Sequence, residues 1–153
     1  MSDPLVFLMG KHPAPLPVDL RYCKNHMWCR PHGDGFRFGF ASYAVRLMQD
    51  VYFLEWKIDA GSAVRAKQEI GFIESSKAQS ELYAPLAGRI TGFNDGLLND
   101  PSAINADGYG DGWLFDMTAD LTDTLDAAGY SRFLEAHWEQ TQRLIKKQIH
   151  EDA

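Results

Sequence analysis

Cysteine is scarce in this chain of 153 residues, which contains only Cys23 and Cys29. So small a number excludes the dense disulfide framework of small secreted domains and is typical of a reducing compartment, so we expect a cytoplasmic protein. Basic residues are also few, because 15 Lys and Arg stand against 21 Asp and Glu and leave a formal charge of -6. This balance argues against a surface for nucleic acid or for an anionic membrane.

Long hydrophobic runs, phosphate-binding glycine loops and internal repeats are absent as well. No apolar stretch is long enough to cross a bilayer, and the short one at residues 5–9 lacks the charge order of a secretory signal. Four of the seven prolines fall within residues 1–19, so we expect an extended, partly mobile leader there. The 45% of hydrophobic residues suffices for the core of one domain.

The apolar residues from position 20 to position 93 alternate with polar ones in short runs separated by Gly, Pro, Asn and Asp, a pattern that predicts strands joined by turns. The predicted strands are Tyr22–Arg30, Gly35–Phe40, Val51–Trp56, Ile70–Glu74, Ser80–Tyr83, Gly88–Phe93 and Gly112–Met117. A helix is predicted over Ala41–Gln49, and turn residues predict a loop over 94–111.

The end of the chain has a helical pattern. Thr118–Ala128 predicts a short helix that Gly129 ends, and Ser131 is expected to cap a second helix. An apolar stripe on the second helix comprises Leu134, Trp138, Ile145 and Ile149.

Lys77 lies between two predicted strands, in the segment Ile73-Glu74-Ser75-Ser76-Lys77-Ala78-Gln79-Ser80. Small polar residues and a lysine between strands predict an exposed hairpin tip. A lysine at a tip is accessible to a modifying enzyme, although most surface lysines are simply solvated charges. The local pattern makes Lys77 a candidate attachment site without identifying the attached group.

The stretch from Phe72 to Gly88 resembles the lipoylation hairpin of glycine-cleavage H proteins. Further similar positions follow in the family's order: His26, Trp28, Gly39, Tyr43-Ala44, Asp50-Val51-Tyr52-Phe53-Leu54-Glu55, Ile104-Asn105 and Tyr109-Gly110-Asp111-Gly112-Trp113-Leu114. The resemblance implies lipoate attached covalently to Lys77, on a carrier that is not itself an enzyme. A lipoyl arm of this kind shuttles substrate between the active sites of partner enzymes.

The resemblance also implies the fold, an all-β barrel-sandwich hybrid with a C-terminal helix, which agrees with the strand pattern. We therefore expect a lipoyl-carrier domain at residues 20–134, after a proline-rich leader at residues 1–19. Residues 135–153 are expected to form a C-terminal helical extension.

Several departures from the H-protein pattern bear on the pathway. Met27 stands where an acidic residue is usual, Ala41-Ser42 replaces Thr-Asp, and Leu47 occupies a position that is often polar. These changes favour a second H-like group, the lipoate-binding proteins of heterodisulfide-reductase-like sulfur oxidation, in which the arm carries sulfur-bound intermediates. Two alternatives stay open: a glycine cleavage H protein that shuttles an aminomethyl group, and an H-like interaction domain without lipoate.

Acidic residues flank the lysine at Glu74 and Glu81. Since neither a nucleophile nor a metal motif accompanies them, we expect recognition instead of catalysis. A lipoate-protein ligase or another lipoylation enzyme is expected to read the residues Glu74, Ser75, Ser76, Ala78 and Glu81. Further expected partners are a heterodisulfide-reductase-like complex or the glycine cleavage enzymes, and dihydrolipoamide dehydrogenase.

Cys23, His26, Cys29 and His32 recur at every third position, a spacing that raises the question of a metal site. In a straight strand, however, residues three apart lie on opposite faces. Six residues of strand also separate the two sulfurs by about 20 Å, which is beyond the reach of a disulfide. We therefore expect no metal site and two separate thiols.

Overall fold

The computed structural model describes residues 3–152 of the chain and the side chains of residues 3–143. Its strands are β1 (Leu5–Met9), β2 (His12–Leu16), β3 (Arg21–Tyr22), β4 (Met27–His32), β5 (Gly35–Phe40), β6 (Val51–Trp56), β7 (Ala63–Val64), β8 (Glu69–Ser75), β9 (Gln79–Tyr83), β10 (Gly88–Phe93) and β11 (Phe115–Ala119). Its helices are α1 (Ser42–Met48), α2 (Gly96–Asn99), α3 (Ala103–Ala106) and α4 (Ala127–Asp152). Helices α2 and α3 lie within the segment predicted as a loop.

Two sheets contribute to the main core. One has six strands in the order β3-β4-β5-β11-β10-β7, and the other has three in the order β6-β8-β9. Their inward-facing residues include Phe38, Ile73, Ile90 and Phe115, which are at most 2% exposed. The expectation of a β domain with a C-terminal helix is confirmed. Among the described residues, neither sheet closes on itself.

The region predicted as one strand, Tyr22–Arg30, contains a turn, so this prediction is wrong. Strand β3 ends at Tyr22, and the Cys23 N–H donates to the Met27 carbonyl at 2.8 Å. His26 occupies this turn with a φ of 70°, which non-glycine residues seldom adopt. Lys24, Asn25 and His26 form a run of three polar residues, a turn signal that the strand prediction did not take into account. By contrast, β5, β6 and β10 have the predicted bounds.

The proline-rich leader forms a hairpin in which β1 pairs with β2. Phe7, Met9, Ala14 and Leu16 point inward and are at most 5% exposed. They join residues of α1 and α4 in a second apolar cluster. The expected extended, partly mobile segment is therefore packed from residue 5 to residue 16. Prolines are tolerated here because a two-stranded hairpin has only edge strands. The division of the chain at residue 19 stays a prediction.

Helix α4 begins earlier than predicted. The expected helix Thr118–Ala128 is wrong, because β11 continues to Ala119 and turns follow it. The Asp126 side chain accepts the Gly129 N–H at 2.7 Å. Asp126 is thus the N-cap that we assigned to Ser131, and Gly129 lies in the first helical turn instead of ending a helix.

The predicted apolar stripe of the C-terminal helix is described as far as Trp138. Leu134 is buried and Trp138 is partly buried, and both pack in the second cluster. Ile145 and Ile149 lie outside the described side chains. Within residues 3–152, no helix is both long enough and apolar enough to span a membrane.

Candidate functional site

The hairpin formed by β8 and β9 presents Lys77 at its tip. The Ser75 N–H donates to the Ala78 carbonyl at 2.8 Å, which leaves Ser76 and Lys77 as the two loop residues. Both residues are exposed. Neither has a positive φ, so the backbone holds a lysine at this position without strain.

Ser75 closes the tip with its side chain. Its hydroxyl accepts the Ala78 N–H at 3.2 Å and lies at the same distance from the Ala78 carbonyl, to which it donates. Ser75 is 5% exposed, and its buried hydroxyl is satisfied within the turn. Of the five residues expected to be recognised around the lysine, Ser75 therefore lies inside the hairpin and shapes its tip.

Ser76 anchors the tip to the segment before β6. The Ser76 N–H donates to the Asp50 carbonyl at 2.9 Å, and the Asp50 N–H donates to Ser76 Oγ at 3.2 Å. Asn105 continues this network, because its Oδ1 accepts the Val51 N–H at 2.9 Å and its Nδ2 donates to the Gln49 carbonyl. The resemblance included Asn105 without assigning it a role, and only the fold shows that it fixes the backbone on both sides of Asp50.

Glu74 and Glu81 share the outer face of the three-stranded sheet. Glu74 pairs with Gln79 and Glu81 pairs with Phe72, so the two carboxylates stand in adjacent cross-strand rows. Both glutamates are partly buried, whereas Ala78 is exposed at the tip. The structure thus brings together the predicted recognition residues, with one carboxylate three residues before Lys77.

A cavity of about 480 Å³ lies beside the anchored tip. Helix α1 and the residues after it contribute Arg46, Gln49 and Asp50 to the lining, and the segment after α3 contributes Asp107 and Tyr109. Because Asp50 also binds Ser76, the cavity and the lysine hairpin share one structural support. Two carboxylates, one guanidinium and one phenol therefore line a space that is linked to the hairpin through the hydrogen bonds between Asp50 and Ser76.

Tyr109 joins three segments at the cavity wall. Its hydroxyl accepts the Ser42 N–H at 2.9 Å and donates to the Pro15 carbonyl at 2.7 Å. Burial raises the pKa of Tyr109, so its phenol remains protonated at neutral pH. The end of the N-terminal hairpin, the start of α1 and the loop after α3 thus meet at one side chain.

The four residues spaced like metal ligands point into different surroundings. Cys23 and Cys29 are both buried in the main core, because the turn after β3 brings them together. The Cys23 thiol donates to Cys29, which raises the pKa of Cys23 and lowers that of Cys29. The expected separation of about 20 Å is therefore wrong, since it assumed a straight strand.

The side chains of the two histidines in the same spacing have other partners. His26 contacts the Tyr130 hydroxyl through Nδ1 at 2.8 Å, and the His32 Nε2 lies 2.9 Å from Arg37.

The departures that favoured a sulfur pathway lie mainly in the cores. Met27 is 2% exposed in the main core, and Ala41 is fully buried in the second cluster. Leu47 packs against the second cluster and is not among the residues that line the cavity. Ser42 is the exception, because it lines the cavity and its N–H donates to the Tyr109 hydroxyl. The other three side chains reflect packing.

Comparison with known proteins identifies close relatives. A family model described as Glycine cleavage H-protein matches residues 20–137. A glycine cleavage system H protein from Pseudoalteromonas atlantica is 45% identical in an alignment of 125 residues that covers 78% of this chain and 96% of the relative. One from Coxiella burnetii is 38% identical in an alignment of 128 residues that covers 80% of this chain and 98% of the relative.

A solved structure extends the similarity to three dimensions. The crystal structure of a glycine cleavage system H protein from Mycobacterium marinum matches with a TM-score of 0.67 and 32% identity, over 76% of this chain and 96% of that one. Relatives that are 38% to 45% identical thus carry the name of the glycine cleavage system. Our expectation of a sulfur-oxidation carrier is therefore wrong, and the glycine cleavage alternative is the better supported one.

Proposed function

The chain belongs to the glycine cleavage H-protein family, and from this premise we propose that Lys77 carries lipoate and shuttles the aminomethyl group between glycine cleavage enzymes. Proteins of this family are carriers and not enzymes, and they hold lipoate covalently on a lysine. The observation that carries the proposal is the position of Lys77, exposed at a two-residue tip whose neighbours on both sides are hydrogen-bonded. We also assign the core to the barrel-sandwich class.

The chain fits a lipoyl group because it combines an exposed attachment point with a hydrogen-bonded base. An amide bond to Lys77 Nζ would remove the ammonium charge and leave a long side chain on a rigid turn. When bound, lipoate would supply a disulfide ring that accepts the aminomethyl cargo. Ser75 and Ser76 keep the tip oriented, so the position from which the arm starts is well defined.

The cavity beside the tip is suited to a cationic cargo. Asp50 and Asp107 line it with two carboxylates, which attract an ammonium group, and Arg46 is also part of its lining. The carboxylates also need not be desolvated completely, since both aspartates are exposed residues. We assign to this cavity the sheltering of the loaded arm from solvent between enzymes.

The residues around Lys77 would also be read during lipoylation. Glu74, Ser76, Ala78 and Glu81 surround the tip at its surface, where a lipoate-protein ligase or another lipoylation enzyme can reach them. Ser75 would contribute indirectly by setting the turn. The remaining partners in this proposal are the pyridoxal-phosphate glycine decarboxylase and a dihydrolipoamide dehydrogenase that reoxidises the arm.

Intact mass after coexpression with a lipoate-protein ligase tests the attachment site. We expect a lipoyl increment on the unmodified sequence, its loss in Lys77→Arg, and its retention in the matched control Lys67→Arg, an exposed lysine in another turn. An increment that survives in Lys77→Arg would move the site elsewhere. An unmodified protein in the presence of a competent ligase would favour the interaction domain without lipoate.

Glycine-dependent exchange tests the pathway. The lipoylated chain, mixed with the glycine decarboxylase of Pseudoalteromonas atlantica, should support exchange of the glycine carboxyl group with labelled bicarbonate. The Lys77→Arg protein should reduce this exchange to the background without carrier. Exchange that is equally fast with both proteins would contradict the proposed function.

A further inference from the structure

The outer face of the sheet β6-β8-β9 is organised in cross-strand rows. Phe53 pairs with Glu74, and in the next row Glu55 pairs with Phe72. Phe72 in turn pairs with Glu81 on β9. An aromatic residue of one strand therefore stands beside a glutamate of the next strand, and the two types alternate across the face.

The aromatic side chains on this face lie outside the buried core: Phe53 is exposed and Phe72 is partly buried. The inner face of the same sheet contributes Leu54, Ile73 and Leu82, which are at most 5% exposed. An antiparallel sheet with one buried face ordinarily has a polar outer face. Here Phe53 is 41% exposed and meets Phe72 edge to face, with 6.3 Å between ring centroids. Exposed aromatic groups of this kind are enriched where proteins bind one another.

Glutamates surround the aromatic pair. The face carries Glu55, Glu69, Glu74 and Glu81 against a single lysine, Lys57. Lys57 donates to both Glu69 and Glu81, and these hydrogen bonds raise the pKa of Lys57 and lower that of Glu69. Four carboxylates and one ammonium leave three net negative charges around an apolar centre.

The aromatic pair also lies close to the candidate lysine. Glu74, in the row of Phe53, precedes Lys77 by three residues, and even a fully extended chain would separate their Cα atoms by no more than about 10 Å. Between Val51 and Phe53 the pairing shifts by one residue, and the extra residue of this bulge, Tyr52, is 59% exposed. Bulges often redirect a side chain beside a functional site. A partner that receives an arm from Lys77 therefore meets this face.

We propose that this face, with Phe53 and Phe72 at its centre and Glu55, Glu69, Glu74 and Glu81 at its rim, docks the active-site entrance of an enzyme that receives the arm. The matching enzyme surface has Lys and Arg residues around an apolar depression that takes the Phe53 ring. Aromatic anchors supply binding energy at such contacts, and the charges steer encounter and fix orientation. The inference rests on the proposed attachment of lipoate to Lys77.

Two variants test the face with the glycine decarboxylase of Pseudoalteromonas atlantica as the probe. Phe53→Ser removes the exposed ring, and Glu55→Lys reverses a rim charge. Matched controls are Leu8→Ser, at a residue 60% exposed on the N-terminal hairpin, and Asp123→Lys, at an exposed turn residue. All proteins are used fully lipoylated, as verified by intact mass, and with thermal unfolding measured alongside.

We expect each face variant to raise the KM for the carrier in glycine–bicarbonate exchange by about tenfold, with little change in kcat. The controls should stay within about twofold of the unmodified sequence. Added salt should raise the KM of the unmodified carrier, and the salt dependence should weaken in Glu55→Lys because one attractive charge has been reversed.

Unchanged KM values for both face variants would overturn the docking surface while leaving the carrier function intact. Absence of exchange with the unmodified, lipoylated chain would instead contradict the proposed function. Sedimentation provides a further test: if the unmodified chain self-associates and Phe53→Ser does not, the face binds a second copy of the chain and the enzyme assignment is wrong.

Discussion

Ser76 and Asp50 exchange two hydrogen bonds, from the Ser76 N–H to the Asp50 carbonyl at 2.9 Å and from the Asp50 N–H to Ser76 Oγ at 3.2 Å. Ser76 precedes the candidate lysine, and its partner Asp50 is one of the residues that line the cavity. The hydrogen bonds therefore connect the hairpin tip to the cavity lining. These two hydrogen bonds hold the hairpin tip in a fixed position relative to the cavity.

The Ser76→Ala substitution should loosen this connection without unfolding the protein. The Asp50 N–H loses its acceptor and becomes free to exchange with solvent, so its hydrogen exchange should accelerate about tenfold while the amide of buried Ile73 is unaffected. Ser80→Ala is the control, because the Ser80 hydroxyl donates only to the adjacent Glu81 carbonyl, at 3.0 Å. Equal exchange of the Asp50 amide in all three proteins would show that the hydroxyl does not hold the segment.

Gly39 is required by the position of the Trp28 ring. A Cβ at Gly39 would lie 2.6 Å from Trp28 Cε2 and Cζ2. The ring is fully buried, and its Nε1 donates to the Gly108 carbonyl at 2.9 Å, so it cannot move without losing that bond. Gly39→Ala should therefore lower the free energy of unfolding by about 2 to 3 kcal/mol, as overpacking of a core does.

The control for this substitution is Gly92→Ala. A Cβ at Gly92 meets nothing within 4 Å, and the residue does not have a positive φ. The free energy of unfolding of Gly92→Ala, measured by urea denaturation, should stay within about 0.5 kcal/mol of that of the unmodified protein. Similar losses at Gly39 and Gly92 would mean that the Trp28 contact is not the cause.

Local patterns predicted short apolar-rich strands that are flanked by turn residues, such as Gly35–Phe40 and Val51–Trp56. The same signals predicted Lys77 between two strands. Its assignment as the lipoyl site rests on the family resemblance and stays a prediction, as do the recognition roles of Glu74 and Glu81.

Features that depend on distant contacts could not be predicted in this way. The cavity combines Arg46 with Asp107, which are far apart in the chain, and no local pattern reveals such a meeting. The pathway was misjudged because Met27 and Leu47 were interpreted as signs of a different function, whereas both pack into apolar clusters. A departure from a family pattern indicates a change of function only when its side chain reaches the site.

Phe7 shows that the N-terminal hairpin is part of the folded structure. It is 5% exposed and contacts Tyr43 and Trp138 edge to face, with centroid distances of 5.9 and 5.8 Å. Phe7→Ala should lower the free energy of unfolding by about 3 kcal/mol, because a buried aromatic ring is lost and a cavity remains. Leu8→Ala, at the adjacent residue that is 60% exposed, should cost less than about 0.5 kcal/mol. If the two variants unfold at the same denaturant concentration, the hairpin does not contribute to stability through Phe7.

His26 should make the fold sensitive to acid. Its imidazole is packed against Tyr43, Tyr130 and Phe133, and burial, with a smaller contribution from His137, lowers the pKa of His26 to about 4. The unfolded chain regains the ordinary value of about 6.5 and therefore binds a proton at a higher pH than the folded chain does. Above about pH 6.5 the imidazole is neutral in both states, so His26 adds no pH dependence to the stability there. The folded state loses stability as the pH falls from about 6.5 towards about 4.

The His26→Asn variant isolates this effect, because asparagine tolerates the positive φ at this position but does not titrate. Between pH 7 and pH 4.5, the free energy of unfolding of the unmodified protein should fall by about 2 kcal/mol more than that of the variant. Any constant cost of the substitution, including loss of the contact with Tyr130, cancels in this comparison because it applies at both pH values. His12→Asn, at an exposed residue of the N-terminal hairpin, should retain the steep dependence. The free energies of unfolding of the unmodified protein and of His26→Asn could instead change in parallel with pH. The imidazole would then take up its proton at the same pH in the folded and unfolded states, and burial of His26 would not favour its neutral form.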